Sequence, residues 1–452
     1  MSSNSVDAVE SGKKKLVGGS KWAFLGRVAT ALFAFAVNAL AARILSPEEL
    51  GLYFLAVSLV TFASLIAQFG LDRAAIRLIS SSMAADRFGD IRQIARKVLV
   101  ISLCASVVLA SVISVFAESL ILPAFNAEKL SESLVWLLIW ISVLAIETII
   151  ANLFRGFHDI KFAILFSGLL RTCILCMLFA VFWVVMGAEG TSLHNVVVLS
   201  VASTVTSMIL GQLLLSLKVK KLPSDGDSNE IILYSSLVKE SWPVMGTALL
   251  LFFINQAALW ILAAYSSSED VALYGAAMRL VLLINVANSV VTAVVPPIIA
   301  EHYSRGTLKT VEPLIRSAVF VCGIPCLVVL VAFLLFGKDI LDLVFGTYYQ
   351  DAYVVLVFLA SGEVIKTLAG PCAVGLSMAG KQAVLLYLSI VRAVLFVGVS
   401  FYVVDVYGAL GVAIASCVFL VLNELVSLLI AKKMLGIWTG LSMANPFLLL
   451  KK

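Results

Sequence analysis

Charged residues are scarce in this chain. Asp, Glu, Lys and Arg together form 13% of its 452 residues, whereas 62% of the residues are hydrophobic and the mean hydropathy is +1.07. So few charges cannot cover the surface of a water-soluble globule of this length. The composition therefore excludes a soluble enzyme or a soluble binding domain and predicts an all-α integral membrane protein.

Residue types that usually carry enzyme chemistry are also few. The three histidines are scattered near the ends of predicted helices, and the seven cysteines all fall inside apolar segments. Cys173 and Cys176 have C-x-x-C spacing but lack the surrounding sequence of a redox or zinc site. The sequence contains no glycine-rich phosphate loop. We therefore expect no catalytic residues, no metal, no cofactor, and no ATP-driven transport by this chain alone.

Long apolar stretches, in contrast, fill the chain. A transmembrane helix needs about 20 mostly apolar residues. Runs of this kind predict twelve spans, near residues 22–45, 50–70, 98–117, 134–154, 160–187, 193–217, 241–265, 275–299, 313–336, 353–378, 384–404 and 408–430. Nearly all Lys and Arg residues outside the spans fall on one side of the membrane, whereas the opposite loops hold essentially Lys129 and Lys338. Because positively charged loops stay in the cytoplasm, we predict that both termini are cytoplasmic. The net charge of +5 follows from this topology and does not indicate a nucleic-acid partner.

Two arginines inside predicted spans, Arg171 and Arg392, lie 221 residues apart. At the same offset the segment 46–53, SPEELGLY, aligns with the segment 267–274, SSEDVALY. An internal repeat with an even number of helices in each half predicts two parallel six-helix repeats, with a ligand site in the cleft between them. The predicted organisation is a cytoplasmic N-terminal segment (1–21), a first lobe (22–217), a cytoplasmic linker (218–240), a second lobe (241–431) and an interfacial C-terminal segment (432–452).

Charges inside membrane spans are costly. A central arginine costs roughly 2.5 to 3.5 kcal/mol on insertion scales, so each such charge marks a candidate functional site. The predicted substrate-binding residues are all positively charged: Arg171, Arg392, Lys366, Arg27 and Arg279. The candidates for charge pairing or coupling are Glu147, Glu363 and Glu424.

Two interpretations of these charges are open. Pairs such as Glu147 with Arg171 can be structural ion pairs within one lobe. Alternatively, the excess of positive charge, with Lys366 foremost, binds an anionic ligand such as phosphate, which guanidinium groups bind in bidentate fashion. Arg27 lies near enough to a helix end to reach the lipid interface instead, and Arg279 is similarly close to the outer end of its span. Amides inside spans are expected either to hydrogen-bond between helices or to contact a sugar: Asn38, Gln68, Asn255, Gln256, Asn285 and Asn288.

The most specific pattern lies in the first two spans, with NALAARILSPEELGLY at residues 38–53 and QFGLDRAAIR at residues 68–77. Here the chain resembles the polysaccharide exporters and O-antigen flippases of the multidrug/oligosaccharidyl-lipid/polysaccharide (MOP) superfamily. The resemblance implies two six-helix lobes that open alternately to either side of the bacterial inner membrane. It also implies transport of a polyprenyl-diphosphate-linked oligosaccharide, the repeat unit of a lipopolysaccharide O-antigen, a capsule or an exopolysaccharide. Related lipid II flippases carry arginines deeper in the first helix, where this chain has Ala31 and Val37, so diphosphate binding is not transferred to those positions.

The resemblance leaves open a coupling ion, H⁺ or Na⁺, and contacts with other polysaccharide assembly proteins. The main alternative is a multidrug or toxin exporter of the same fold, because Glu147, Glu363 and Glu424 could bind cationic drugs or coupling ions. A membrane polymerase or ligase fits less well, because such enzymes need a larger extramembrane segment than this sequence contains. We therefore predict a transporter and not an enzyme.

Overall fold

The computed structural model of the chain describes residues 3–85, 87–186, 192–223, 234–305 and 307–440. Almost all of these residues are helical, which confirms the predicted all-α fold class. The helices of the first half are α1 (Ser3–Ile44), α2 (Pro47–Gln68), α3 (Leu71–Ala84), α4 (Phe88–Phe116), α5 (Leu122–Ala124), α6 (Leu134–Gly156), α7 (Ile160–Ile164), α8 (Leu170–Met186) and α9 (Leu193–Lys220). The second half contains α10 (Tyr234–Tyr265), α11 (Ser268–Ser304), α12 (Leu308–Phe345), α13 (Tyr353–Ala369), α14 (Cys372–Met378) and α15 (Gln382–Leu435).

Ten helices in the described part of the chain are long and apolar enough to cross a membrane. One of them, α15, covers two predicted spans, and its only break is a non-helical backbone at Gly408 (φ 50°, ψ −136°). The predicted span at 275–299 lies in α11, where the side chains of residues 286–294 are outside the described residues. The number of twelve spans and the orientation of the termini stay predictions.

Breaks between helices occur where glycine and proline stop the apolar runs. Gly370 adopts φ 80° and is followed by Pro371, so that the tenth predicted span divides into α13 and α14. A second break separates α7 from α8 by a π-helical turn, Leu165–Leu169, in which Ser167 and Gly168 leave helical geometry. Proline lacks a backbone N–H and glycine tolerates positive φ, which explains why the chain breaks at Gly168 and at 370–371.

The chain divides into two compact units. One comprises Met1–Leu45 and Leu52–Phe253, and the other comprises Ser46–Gly51 and Ile254–Lys452. The division falls inside α10 rather than in the 218–240 segment, of which residues 224–233 lie outside the described residues. The lobe and linker boundaries read from the sequence therefore stay a prediction.

Local interactions recur at the offset of 221 residues. The side chain of Ser46 accepts a hydrogen bond from the backbone N–H of Glu49 (3.3 Å), and Ser267 accepts the corresponding bond from Asp270 (3.1 Å). Both serines thus stand before the first turn of a helix, where an oxygen acceptor satisfies a free N–H group.

A second recurring contact joins a tyrosine near the start of a helix to a serine on a later one. Tyr53 Oη lies 3.1 Å from Ser200 Oγ in the first unit, and Tyr274 Oη lies 3.2 Å from Ser416 Oγ in the second. The two tyrosines are 221 residues apart as the repeat requires, whereas Ser416 lies five residues before the position that corresponds to Ser200.

Residues after α15 pack into the second unit. Gly436 turns the chain with φ 70°, after which Ile437 and Thr439 are fully buried. Thr439 Oγ1 lies 2.9 Å from Cys372 Sγ and 3.3 Å from the carbonyl oxygen of Ala369, at the break between α13 and α14. The end of the predicted C-terminal segment, residues 441–452, lies outside the described residues.

Candidate functional site

A cavity of about 310 Å³ lies within the first unit, between α2, α6, the π-helical turn and α8. Glu147 of α6 and Arg171 of α8 line it, and Arg171 Nη1 donates a hydrogen bond of 2.8 Å to Glu147 Oε2. The other carboxylate oxygen, Glu147 Oε1, accepts a bond of 2.7 Å from Ser207 Oγ on α9. Both oxygens of this buried carboxylate are therefore satisfied inside the unit.

The chain positions this ion pair by reversing direction after α6. Helix α6 ends at Gly156 and α7 begins at Ile160, so residues about ten positions before and after the turn lie side by side. Gly168 then adopts φ 125°, and a Cβ atom added there would lie 3.4 Å from Arg171 Nη2. The irregular turn thus places the guanidinium group directly beside the backbone.

Further polar side chains line the same cavity: Thr61, Ser64, Gln68, Thr148, Asn152, Arg155 and Ser167. Arg155, at the end of α6, donates from Nη1 to Asn152 Oδ1 at 2.9 Å. Gln68 is only 4% exposed, and its amide has no hydrogen-bond partner among the described residues. The expected interhelical hydrogen bond of Gln68 is therefore not found in the described part of the chain.

The second unit holds a cavity of about 370 Å³ between α10, α11, α13 and α15. Five charged side chains line it: Arg279, Glu363, Lys366, Arg392 and Glu424. Amide and hydroxyl groups complete its polar surface: Asn255, Gln256, Tyr274, Asn285 and Ser416. Three cations and two carboxylates thus converge on one space.

Pairing within this second cavity is incomplete. Lys366 Nζ lies 3.0 Å from Glu363 Oε2, one helical turn away on α13. Glu424 Oε1 accepts a bond of 3.4 Å from Asn423. In the described residues no carboxylate oxygen lies within 4.0 Å of the guanidinium group of Arg392, although Glu363 and Glu424 are near enough to attract it. Arg392 therefore differs from its repeat counterpart Arg171, which is held by Glu147.

The five predicted substrate-binding residues separate into three groups. Arg279, Lys366 and Arg392 share the second cavity, and Arg171 lines the first. Arg27 lines neither cavity; its side chain is exposed on α1, near enough to Arg155 for the two charges to repel each other. The predicted carboxylates divide likewise, with Glu147 in the first cavity and Glu363 and Glu424 in the second.

Sequence reasoning missed Arg155 as a site residue. A basic residue at the end of a hydrophobic run has the pattern of a topology signal, and only the cavity distinguishes Arg155 from other arginines of that kind. Tyr274, which ends the repeated segment 267–274, also lines the second cavity. The side chain of Asn288 lies outside the described residues. The described residues contain no group of three or more His, Cys, Asp or Glu side chains that could hold a metal ion.

An all-helical protein with many apolar spans and charged internal cavities falls in the class of polytopic membrane proteins. The family model described as "Polysaccharide biosynthesis protein" matches residues 16–303, which is more than half of the chain. The chain therefore belongs to this family of polysaccharide biosynthesis proteins. No match was found among curated proteins.

The fold of this chain matches solved structures of MOP superfamily transporters. An inward-facing multidrug resistance MATE family transporter of that superfamily matches with a TM-score of 0.72 at 19% identity, over 90% of this chain and 94% of the other. The lipid II flippase MurJ in an inward closed conformation matches with a TM-score of 0.67 at 14% identity, over 92% and 87%. A MOP superfamily transporter from Pyrococcus furiosus, whose binding pocket is described as having reverse polarity, matches with 0.63 at 18%, over 94% and 96%. At these identities the similarity establishes the fold alone.

Proposed function

We propose that this protein is a flippase that moves a polyprenyl-diphosphate-linked oligosaccharide across the bacterial inner membrane by alternating access. The oligosaccharide is a repeat unit of an O-antigen, a capsule or an exopolysaccharide. Both termini lie in the cytoplasm, and transport is coupled to H⁺ or Na⁺. Membership of a polysaccharide biosynthesis family and the fold of MOP transporters support transport of a polysaccharide precursor.

The main observation in support of this proposal is the environment of Arg392. Its guanidinium group faces the second cavity without an ion pair within 4.0 Å among the described residues, and Lys366 and Arg279 line the same space. A diphosphate offers several anionic oxygens in the geometry that guanidinium groups bind best. The amides of Gln256 and Asn285 on the same surface are suitable for hydrogen bonding to sugar hydroxyls.

Deletion of the gene in its native bacterium tests this proposal. We expect lipid-linked oligosaccharide to accumulate on the cytoplasmic leaflet, and surface polysaccharide to fall, with recovery of both when the wild-type gene is restored. The intermediates can be extracted and quantified by mass spectrometry. Unchanged levels of every lipid-linked intermediate would contradict the proposal.

Export of cationic drugs is the second candidate function. Glu424 lines the same cavity and has no cationic group within 4.0 Å in the described part of the chain. One of the similar structures is a multidrug resistance transporter. A deletion strain with increased sensitivity to cationic dyes and normal lipid intermediates would favour this function over lipid-linked oligosaccharide transport.

A further inference from the structure

We infer that the cavity of the first unit is a second anion-binding site, specific for a phosphate-type group, in which Arg155 and Gln68 are the main contacts. None of its lining residues lines the second cavity, on which the proposed function depends. It rests on the proposed function only for the biological source of the phosphate, which is either a free phosphate anion or the head group of a polyprenyl lipid.

The amide of Gln68 is the first observation. Gln68 is only 4% exposed, and its amide forms no hydrogen bond with any described residue. The amide atoms keep some accessible surface, which opens onto the cavity. The side chain lines the cavity, so a ligand placed there can accept a hydrogen bond from its NH₂ group.

The sign of the charge is the second observation. Arg155 and Arg171 line the cavity, and the charge of Arg27 also acts on Arg155. The one carboxylate that lines the space, Glu147, already uses both oxygens for Arg171 and Ser207. Asp72 attracts Arg155, but in the described residues no carboxylate oxygen comes within 4.0 Å of its guanidinium group. The space therefore has a surplus of positive charge that favours an anion.

Orientation of the guanidinium group is the third observation. The bond from Arg155 Nη1 to Asn152 Oδ1 fixes the plane of the guanidinium group from one side. No other described residue accepts a hydrogen bond from Arg155, so its remaining N–H groups are available to a ligand. A planar, fixed fork of donors matches two oxygens of a phosphate.

The size of the cavity suits an anionic group. Its volume of about 310 Å³ lies at the lower end of the range of ligand pockets, about 300–1,000 Å³, and accommodates a phosphate or a diphosphate. We assign the site to the anionic group because Arg155 and Gln68 offer the donors that such a group binds.

Direct binding to the purified full-length protein tests the inference without a transport assay. Pyrophosphate and a short-chain polyprenyl phosphate are titrated separately by calorimetry into protein in detergent. We expect at least one of them to bind. Binding of pyrophosphate indicates a site open to free anions, whereas binding of the polyprenyl phosphate alone indicates a lipid head group as the source.

Variants locate the site. Arg155→Gln is expected to weaken binding by roughly tenfold or more, a factor that corresponds to about 1.4 kcal/mol. Gln68→Leu keeps the volume of the side chain, removes only the amide, and is also expected to weaken binding. Arg305→Gln is the matched control, because it removes an exposed arginine far along the chain, and it should retain all binding. Because the proposed function places a diphosphate contact at Arg392, Arg392→Gln is used as the background that removes binding in the second cavity. The binding that remains in Arg392→Gln is expected to be weakened by adding Arg155→Gln.

The possible results separate this inference from the proposed function. Failure of both ligands to bind, or equal binding by wild type and Arg155→Gln, overturns the first-unit site and leaves a water-filled cavity. Loss of binding in Arg392→Gln alone overturns it as well, because the anion then occupies the second cavity. If Arg155→Gln misfolds, Gln68→Leu and Arg155→Lys give the same comparison with smaller structural changes. Transport measurements on the wild type decide the proposed function independently.

Discussion

The ion pair of Glu147 and Arg171 is expected to stabilise the first unit, and a double-mutant cycle tests this. Glu147 is 1% exposed and accepts hydrogen bonds from Arg171 Nη1 at 2.8 Å and Ser207 Oγ at 2.7 Å. The cycle compares Glu147→Ala, Arg171→Ala and the double variant. If each single substitution leaves a buried polar group without its partner, the double variant must lose less stability than the sum of the two singles.

The two ends of the pair differ in exposure, and this sets the expected magnitudes. A hydrogen bond to a charged group contributes about 1.5–3 kcal/mol, and breaking a fully buried ion pair costs about 3–5 kcal/mol. The Arg171 side chain is 28% exposed and Glu147 only 2%. Water in the cavity can therefore solvate Arg171 after Glu147→Ala, whereas Arg171→Ala leaves a carboxylate with no access to solvent. We expect a coupling energy of about 1.5–3 kcal/mol and a larger loss for Arg171→Ala than for Glu147→Ala.

Unfolding of the purified protein in mixed micelles with increasing SDS measures these energies. The exposed pair Arg305 and Glu301, with 3.0 Å between charged atoms, provides the matched control, for which we expect a coupling below about 1 kcal/mol. Transport adds a second readout: Glu147→Ala/Arg171→Ala should retain more activity than Arg171→Ala. A coupling no larger than that of the control pair would refute a structural role for the Glu147–Arg171 contact.

Three other features give further expected outcomes. Arg392→Gln should reduce transport by roughly tenfold or more, equivalent to about 1.4 kcal/mol, with little change in the free energy of unfolding. Arg305→Gln should leave transport unchanged, and equal effects of the two variants on export would contradict the role assigned to Arg392. Gly168→Ala should destabilise the protein by roughly 1–3 kcal/mol, because φ of 125° strains any residue with a Cβ atom; an unchanged thermal midpoint would show that the turn is not constrained. Thr439→Val should cost about 1 kcal/mol through its lost hydrogen bonds and increase maleimide labelling of Cys372; rapid labelling of Cys372 in the wild type would contradict its burial.

Much of the fold could be predicted because hydrophobic runs of about 20 residues have few alternatives to a membrane helix. The apolar residues around Glu147 and Arg171 placed both charges within helices, and the short turn between those helices made their pairing predictable. The alignment of segments 46–53 and 267–274 predicted equivalent positions in the two halves, and the same serine-to-backbone hydrogen bond occurs at Ser46 and at Ser267. These features depend on neighbours within one or two helical turns or across one short connection.

The sites were less predictable because their partners are distant in sequence. Arg171 and Arg392 occupy equivalent positions in the repeat, but only Arg171 has a carboxylate within 4.0 Å among the described residues. Nothing in the residues adjacent to either arginine reports this difference. The amide of Gln68 shows the same limit, since its lack of a hydrogen-bond partner depends on how α2, α6 and the π-helical turn surround the cavity. Arg155 could not be predicted as a site residue, because a basic residue at the end of an apolar run usually sets membrane orientation.

Translocation by the purified protein in proteoliposomes tests the proposed function most directly. A labelled polyprenyl-diphosphate oligosaccharide is incorporated in the membrane, and its appearance in the opposite leaflet is followed by accessibility to a glycan-oxidising reagent that does not cross the bilayer. We predict translocation well above the rate of protein-free vesicles for the wild type and for Arg305→Gln, and a rate near that of protein-free vesicles for Arg392→Gln. Wild-type translocation no faster than in protein-free vesicles, under an applied H⁺ or Na⁺ gradient, would contradict the proposal that this protein is a flippase for lipid-linked oligosaccharides.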